Sequence, residues 1–178
     1  VAAYTVSLLH PKIIADLRLA DHGLRLVERR AQNFLPTPEG EYLLAAEGIT
    51  EREIAKFSRA DAERYDAFSR QLDASADVLR ELILRAPPNL TRGLRLDTVN
   101  ELLKAGRLGN RLRRLSTENL QVLFDLFTKS AADYLDSWFD GELVKALFGF
   151  DAIVGNYASP YTPGTAYVLL HHCFGEVN

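Results

Sequence analysis

The longest regular pattern of apolar and polar positions runs from Ser58 to Arg85. Apolar side chains recur there in steps of three, four or seven residues: Tyr65, Phe68, Leu72, Leu79 and Leu82. This spacing predicts one long amphipathic helix. Ser58 to Asp61 has the form of a capping box at its start. Pro87-Pro88 is expected to end the helix, because proline disfavours helical geometry in the residue before it.

Shorter helices are predicted on both sides of the long one. Thr50–Glu53 and Thr98–Glu101 have the same capping-box form, and the helix that follows Thr98 should close at Gly106. Ser116 predicts the start of a central, buried helix with little polar face, whose apolar residues are Leu120, Val122, Leu123, Phe124, Leu126 and Phe127. Two more apolar stripes predict further helices: Ala131, Tyr134, Leu135 and Trp138, then Leu143, Val144, Leu147 and Phe148. The turn at Pro163-Gly164 predicts a last helix towards His172.

The first part of the chain has a different pattern. The run around Tyr4 predicts a short strand or the lead-in to a helix, and Pro11 predicts a helix start that Gly23 would stop. Two short extended runs surround a turn that contains proline and glycine. They predict a β-hairpin that pairs Leu24–Arg30 with Glu41–Ala45.

These elements predict an α+β fold that is mainly α. Residues 1–48 should form a small β element with a short helix, and residues 49–178 a bundle of six or more helices. The length fits one domain, or a small domain plus part of another, and allows a sizeable core. The sequence begins with Val1 and contains no methionine, so we expect a segment taken from inside a longer chain.

Composition excludes several classes of function. The net charge is −3 and the sequence pI is about 5.8, which gives no electrostatic reason to expect nucleic acid. One basic cluster exists, at Arg107, Arg111, Arg113 and Arg114. We interpret it as a solvated segment, with an anion contact as the alternative. The single cysteine, Cys173, has apolar neighbours and is interpreted as a core thiol in a reducing compartment. No apolar run approaches the roughly 18 residues that cross a bilayer.

Few residue patterns point to catalysis or metal binding. Neither G-x-G-x-x-G nor G-x-x-x-x-G-K-[ST] occurs in the sequence, so a dinucleotide or P-loop fingerprint is absent. His171-His172-Cys173 lacks a partner at a spacing of three or four residues, and no metal site is predicted. Asp133, Asp136 and Asp140 are interpreted as a solvated face. The turn Pro160–Thr165 is interpreted as the entry to a buried helix, with an anion or carbonyl site as the alternative.

Five stretches together resemble a known family. They are YTVSLLHPKIIADLRLADHGL (4–24), FLPTPEGEYL (34–43), KFSRADAERY (56–65), DYLDSWFDGELVKALF (133–148) and SPYTPGTAYVLLHHCFGEVN (159–178). In this collinear order, with the Pro87-Pro88 break between them, they are similar to the phytoene-dehydrogenase-like FAD-dependent oxidoreductases. The resemblance spans essentially the whole chain, although no single stretch is diagnostic.

The resemblance implies a place and a role for this chain. In that family a Rossmann motif that binds FAD precedes this region and a C-terminal portion completes the flavin site, so this chain would be a substrate-domain segment, inactive alone. It implies a cleft for an apolar substrate, with Tyr157, Tyr161 and His171 facing it and Tyr4 and Ser7 towards the cofactor. The implied partner is the remainder of the flavoprotein, and no metal is implied.

Two other functions stay open at this point. The chain could be a self-sufficient helical module that binds a partner helix, or a lipid- or polyene-binding protein without redox chemistry. The lipid-binding alternative predicts an apolar cavity closed within these residues, whereas the segment hypothesis predicts a cleft open on one side and exposed apolar surface that favours self-association. A cytoplasmic location is expected, with peripheral membrane association of the parent as an alternative.

Overall fold

A computed structural model describes residues 9–83, 96–113 and 115–173. Within them lie seven α-helices, two 3₁₀ helices and one antiparallel hairpin, which confirms the mainly helical α+β prediction. The elements are α1 (Pro11–Asp16), a 3₁₀ helix (Leu19–His22), β1 (Asn33–Pro36), β2 (Tyr42–Ala45), α2 (Thr50–Ala55), α3 (Arg59–Ile83), α4 (Leu96–Leu112), α5 (Thr117–Thr128), α6 (Ala131–Asp136), α7 (Glu142–Ile153) and a second 3₁₀ helix (Ala166–His172).

The hairpin is confirmed, but the predicted first strand is wrong. β2 pairs with β1, so that Leu43 lies opposite Leu35 and Tyr42 lies opposite Pro36. The tight turn from Thr37 to Glu41 explains the shift, because strands pair from the residues next to the turn outward. Gly40 has a φ of 87° in this turn, a left-handed conformation that glycine adopts without strain. Leu24–Arg30 lies outside the hairpin.

The long helix α3 is confirmed from its first residue. Ser58 precedes it, and the Ser58 Oγ accepts a hydrogen bond of 3.2 Å from the Asp61 N–H. Phe68, Leu72 and Ala76 are buried on one face, as the helical spacing predicts. The predicted end near Arg85 and the proline pair lie outside the described residues.

Two of the predicted capping boxes are wrong, and the one at Ser58 forms only in part, because the Ser58 N–H donates to the Ile54 carbonyl and not to Asp61. α2 begins at Thr50 itself, whose hydroxyl donates to the Ala46 carbonyl at 2.9 Å and accepts from the Ala46 N–H at 3.0 Å. Because this hydroxyl is occupied by Ala46, it does not cap its own helix. α4 begins at Leu96 and continues through Gly106 to Leu112. A single glycine inside a helix costs only about 1 kcal/mol, which does not end a helix by itself.

The predicted central position of α5 is wrong. Ser116 does begin it, since its Oγ accepts a hydrogen bond of 3.1 Å from the Asn119 N–H. Val122 and Leu126 are buried, whereas three other large apolar side chains stay exposed: Leu120, Phe124 and Phe127. α5 packs on α3 and on the second 3₁₀ helix from one side. Its other side therefore faces solvent.

The core consists of buried side chains from β2, from α2, α3, α5, α6 and α7, and from the second 3₁₀ helix. The helix predicted to follow the turn at Pro163-Gly164 is present as a 3₁₀ helix of seven residues, which begins at Ala166. Its Leu169 and Leu170 are buried. In the described part of the chain, no helix is both long and apolar enough to cross a bilayer.

Candidate functional site

A groove of about 740 Å³ lies between β1, α6, α7 and the turn at Pro160. Its volume is in the range of small-molecule sites. The apolar part of its lining comes from all four elements: Phe34, Leu35, Ala131, Ala132, Leu135, Ala146, Leu147, Phe150, Ile153, Pro160 and Tyr161. The polar part consists of Gln32, Asn33, Asp136, Glu142 and Lys145. Such a surface favours a mostly apolar ligand with one polar end.

The groove is open to solvent along one side. Phe34 is 61% exposed, Phe150 is 45% exposed and Tyr161 is 75% exposed, although all three line it. Large aromatic side chains usually bury most of their surface. A sealed lipid cavity would cover these rings, so the shape is that of a half-cleft.

A buried carboxylate fixes the start of α7, which forms one wall of the groove. Asp61 on α3 is fully buried, and its two oxygens accept hydrogen bonds of 2.9 Å from the N–H groups of Asp140 and Gly141. Burial by itself raises the pKa of Asp61, but these two N–H groups, the Ser58 hydroxyl and the Arg64 charge together hold it below its ordinary value. The carboxylate therefore stays ionised and joins α3 to α7.

The turn at Pro160 is tied to the start of α6. The Pro160 carbonyl accepts a hydrogen bond of 3.0 Å from the Ala132 N–H, and the Thr165 hydroxyl accepts one of 3.0 Å from the Ala131 N–H. The Gly164 N–H donates to the Thr128 and Lys129 carbonyls. The Thr162 N–H donates to the Ser159 carbonyl, and the Thr165 N–H donates to the Thr162 carbonyl. Because the N–H groups of the turn are occupied in this way, the turn acts as a structural entry to the last helix. The alternative of an anion site in the turn finds no support here.

One cation lies among the lining residues of the groove. The Lys145 Nζ lies 2.9 Å from the Asp136 Oδ1 and 2.6 Å from the Glu142 Oε1. Hydrogen bonds to Glu142 and Asp136 raise the pKa of Lys145. The three side chains thus form a cluster with a net charge of −1, which we call the rim cluster. The Asn33 side-chain amide, also part of the lining, donates to the Asp151 carboxylate at 3.4 Å.

The structure places two of the predicted cleft residues. Tyr161 lines the groove, whereas Tyr157 is fully exposed and lies outside its lining. The side chain of His171 lies outside the described residues, as do Tyr4 and Ser7. The assignment of these residues to a substrate cleft or a cofactor side stays a prediction.

Sequence reasoning missed most of the lining. Phe34 and Leu35 lie between the two strands predicted from the sequence, and Phe150 belongs to none of the predicted site residues. The turn at Gly40 is a sequence signal that could have found Phe34 and Leu35, because it sets the register in which β1 pairs with Leu43 and its neighbours. Lys145 and Glu142 have the i, i+3 spacing of a helical ion pair. Asp136 joins them only through the bend between α6 and α7.

The other candidate chemistry gives no reactive group. Burial, with Asp73 nearby, raises the pKa of the Cys173 thiol to about 12, so this thiol stays protonated and packs against the core. Asp133, Asp136 and Asp140 are exposed, which confirms their interpretation as a solvated face. Within the described residues, no three side chains of His, Cys, Asp or Glu come together in a metal-binding arrangement.

The described residues do not fit the dinucleotide part of FAD. Such a site uses a parallel strand–helix–strand unit with a glycine-rich turn. The strands of the described residues form only an antiparallel hairpin, and the sequence contains no G-x-G-x-x-G.

Comparison with known proteins relates the chain to oxidoreductases. It is 35% identical over 195 residues to a rat protein, and 36% identical over 199 residues to a mouse protein. Both are named pyridine nucleotide-disulfide oxidoreductase domain-containing protein 2, and each alignment includes 99% of this chain. Its homologues are oxidoreductase-domain proteins. The chain spans 32% of the length of either relative. No protein-family model and no solved structure matches it.

Proposed function

We propose that this chain is the ligand-binding segment of a phytoene-dehydrogenase-like flavin oxidoreductase. It holds an apolar substrate, while another part of the parent protein holds FAD and carries out the redox step. Three facts support this proposal: the relatives are named for an oxidoreductase domain, the chain spans 32% of their length, and it lacks a dinucleotide fingerprint. The segment alone is inactive.

The observation that carries the proposal is the open apolar groove. Its lining supplies aliphatic and aromatic contacts and a single charged cluster. This division suits a flavin enzyme, in which the protein contributes positioning and exclusion of water. The remainder of the parent flavoprotein is the partner that closes the exposed side. In its absence, the exposed rings of Phe34 and Tyr161 favour self-association.

A stand-alone interaction module is the second candidate. The exposed apolar residues of α4, Val99, Leu102 and Leu103, favour it, because an unpaired amphipathic face can receive a partner helix. A closed lipid-binding module is less well supported, because it requires a sealed cavity and this groove is open. The location stays a proposal: cytoplasmic, with peripheral membrane association of the parent as the alternative.

Filling the groove should weaken the binding of an apolar ligand. Ala146 lines the groove from α7 and is exposed, so Ala146→Phe places a phenyl ring in the ligand volume without disturbing the core. We expect the affinity for the neutral dye Nile red, measured by fluorescence titration, to fall about tenfold, which corresponds to roughly 1.4 kcal/mol of lost contacts. The variant should stay folded, because the loss of helix propensity costs about 0.5 kcal/mol.

Ala67→Phe is the matched control for this experiment. Ala67 is exposed on α3 and lies outside the groove lining, so the same substitution carries the same propensity cost and adds the same apolar area. Its dye affinity should equal that of the unmodified chain. If Ala146→Phe binds the dye as tightly as the unmodified chain, or if both variants lose dye affinity equally, the dye binds elsewhere. Either result would remove the support for a ligand groove.

A further inference from the structure

The charges around the groove distinguish between ligands of similar shape. Two of the lining residues are acidic, Asp136 and Glu142, and the one cation of the described lining is Lys145. Both acids already hold this cation, at 2.9 Å and 2.6 Å. An anionic ligand group would therefore have to displace a carboxylate from Lys145 and would still meet the other.

The carboxylates remain accessible to a ligand. The side chain of Glu142 is 89% exposed and that of Asp136 is 58% exposed, whereas that of Lys145 is only 20% exposed. The negative groups thus reach solvent at the groove, and the positive group is covered by them. An incoming cation can contact carboxylate oxygens directly, at the cost of little reorganisation.

Two further ionisable residues lie near the lining. Asp151 is buried and accepts a hydrogen bond from the Asn33 amide. Arg29 donates to the Gln32 carbonyl at 3.2 Å, but it is exposed and does not line the groove. Water screens an exposed charge strongly. The rim cluster therefore sets the sign of the local field.

We propose that the groove takes an elongated apolar ligand that ends in a cationic amine. The chain of the ligand lies along the apolar lining, and its ammonium group lies on the outer oxygens of Glu142 and Asp136. Anionic ligands such as fatty acids are rejected by the same two carboxylates. This inference rests on the proposed ligand groove and adds the chemical class of the ligand.

A matched series of probes tests it. Dodecylamine, dodecanol and dodecanoate have chains of one length, and at pH 7.4 they end in a cation, a neutral group and an anion. Each should be titrated, below its micelle concentration, against Nile red bound to the chain. At about 4 Å in a water-like medium one charge pair changes affinity about fivefold. We expect the amine to bind about fivefold more tightly than the alcohol, and the acid about fivefold more weakly.

Removing the carboxylates should invert this order. Asp136→Asn with Glu142→Gln keeps the shape of the rim cluster but leaves Lys145 as its only charge, so the acid should then bind more tightly than the amine. Asp66→Asn with Glu118→Gln is the control, since it changes the net charge equally at exposed positions outside the groove lining. This control should keep the order of the unmodified chain.

The outcomes separate this inference from the proposed function. If all three probes displace the dye equally, or if the control inverts the order as well, selection by the rim cluster is wrong while the groove still binds apolar ligands. If none of the probes displaces the dye, the ligand groove fails and the inference fails with it. The expected preference should also shrink at high salt, because both carboxylates are exposed.

Discussion

Replacing Phe68 by alanine should lower the free energy of unfolding by about 4 kcal/mol, the usual cost of removing a buried aromatic ring. Phe68 is almost completely buried on α3. Its ring centre lies 4.9 Å from that of Phe139, 5.0 Å from that of Phe148 and 5.6 Å from that of Trp138. One ring thus joins α3 to the segment that forms the wall of the groove. Urea unfolding followed by circular dichroism measures the loss.

Phe124→Ala is the control for Phe68→Ala. Phe124 is exposed on α5, so the same truncation there should change the free energy of unfolding by less than about 0.5 kcal/mol. For a chain of this length, the loss at Phe68 corresponds to a fall in Tm of roughly 8–16 °C. Equal effects of the two substitutions would mean that Phe68 is not the centre of the core.

Replacing Asp61 by asparagine should cost about 1.5–3 kcal/mol at pH 7, the range for hydrogen bonds to charged groups. The amide keeps the volume of the carboxylate, but only one of its two atoms can accept, so one of the N–H groups of Asp140 and Gly141 loses its partner. One of the two hydrogen bonds that tie α3 to the start of α7 would then be lost. Urea unfolding at pH 7 measures this effect.

The pH dependence of stability tests whether the Asp61 carboxylate is ionised in the folded chain. Its pKa in the folded chain is below the ordinary value, so its contribution is complete above about pH 4 and is lost as pH falls through the folded pKa. The difference in stability between the unmodified chain and Asp61→Asn should therefore be constant from pH 5 to 8 and shrink in acid. A difference that grows in acid would contradict an ionised Asp61.

Gly141 gives an independent test of the same contact. A Cβ atom there would lie 2.7 Å from the Asp61 Oδ2, so Gly141→Ala should displace the carboxylate and destabilise the chain. At Gly149 an added Cβ would meet only the Leu135 Cδ1, at an ordinary 3.8 Å. Gly149→Ala, inside α7, should be neutral or stabilising by up to about 1 kcal/mol. Two glycines near the same groove thus have opposite expected effects.

Local patterns predicted the helices well where the signal lies within one element. For α3 the sequence predicts a cap at Ser58 and a continuous apolar stripe, and the structure contains both. The first hairpin strand was misplaced because the turn at Gly40 fixes the register, and strand propensity alone does not. The burial of α5 was overestimated, since apolar composition does not report which elements cover a helix. Phe124 is exposed because its side of α5 has no such cover among the described elements.

The groove was only partly predictable, because its walls come from distant parts of the chain. Phe34 and Phe150 are more than 100 positions apart in the sequence and share a lining only after the core has formed. Tyr161 was identified through its place in a family-like motif, which single-sequence periodicity does not supply. The buried role of Asp61 was equally hidden, since its partners are the N–H groups of Asp140 and Gly141, on another element.

The central claim, that this chain binds an apolar ligand in the groove, is tested most directly by NMR of its methyl groups during titration with dodecanol. Saturable shifts should concentrate at lining residues such as Leu35, Leu135 and Ile153. Methyl groups of Leu102 and Leu103, exposed on α4, should stay unchanged. Shifts confined to α4, or small shifts spread evenly over the chain, would contradict the claim.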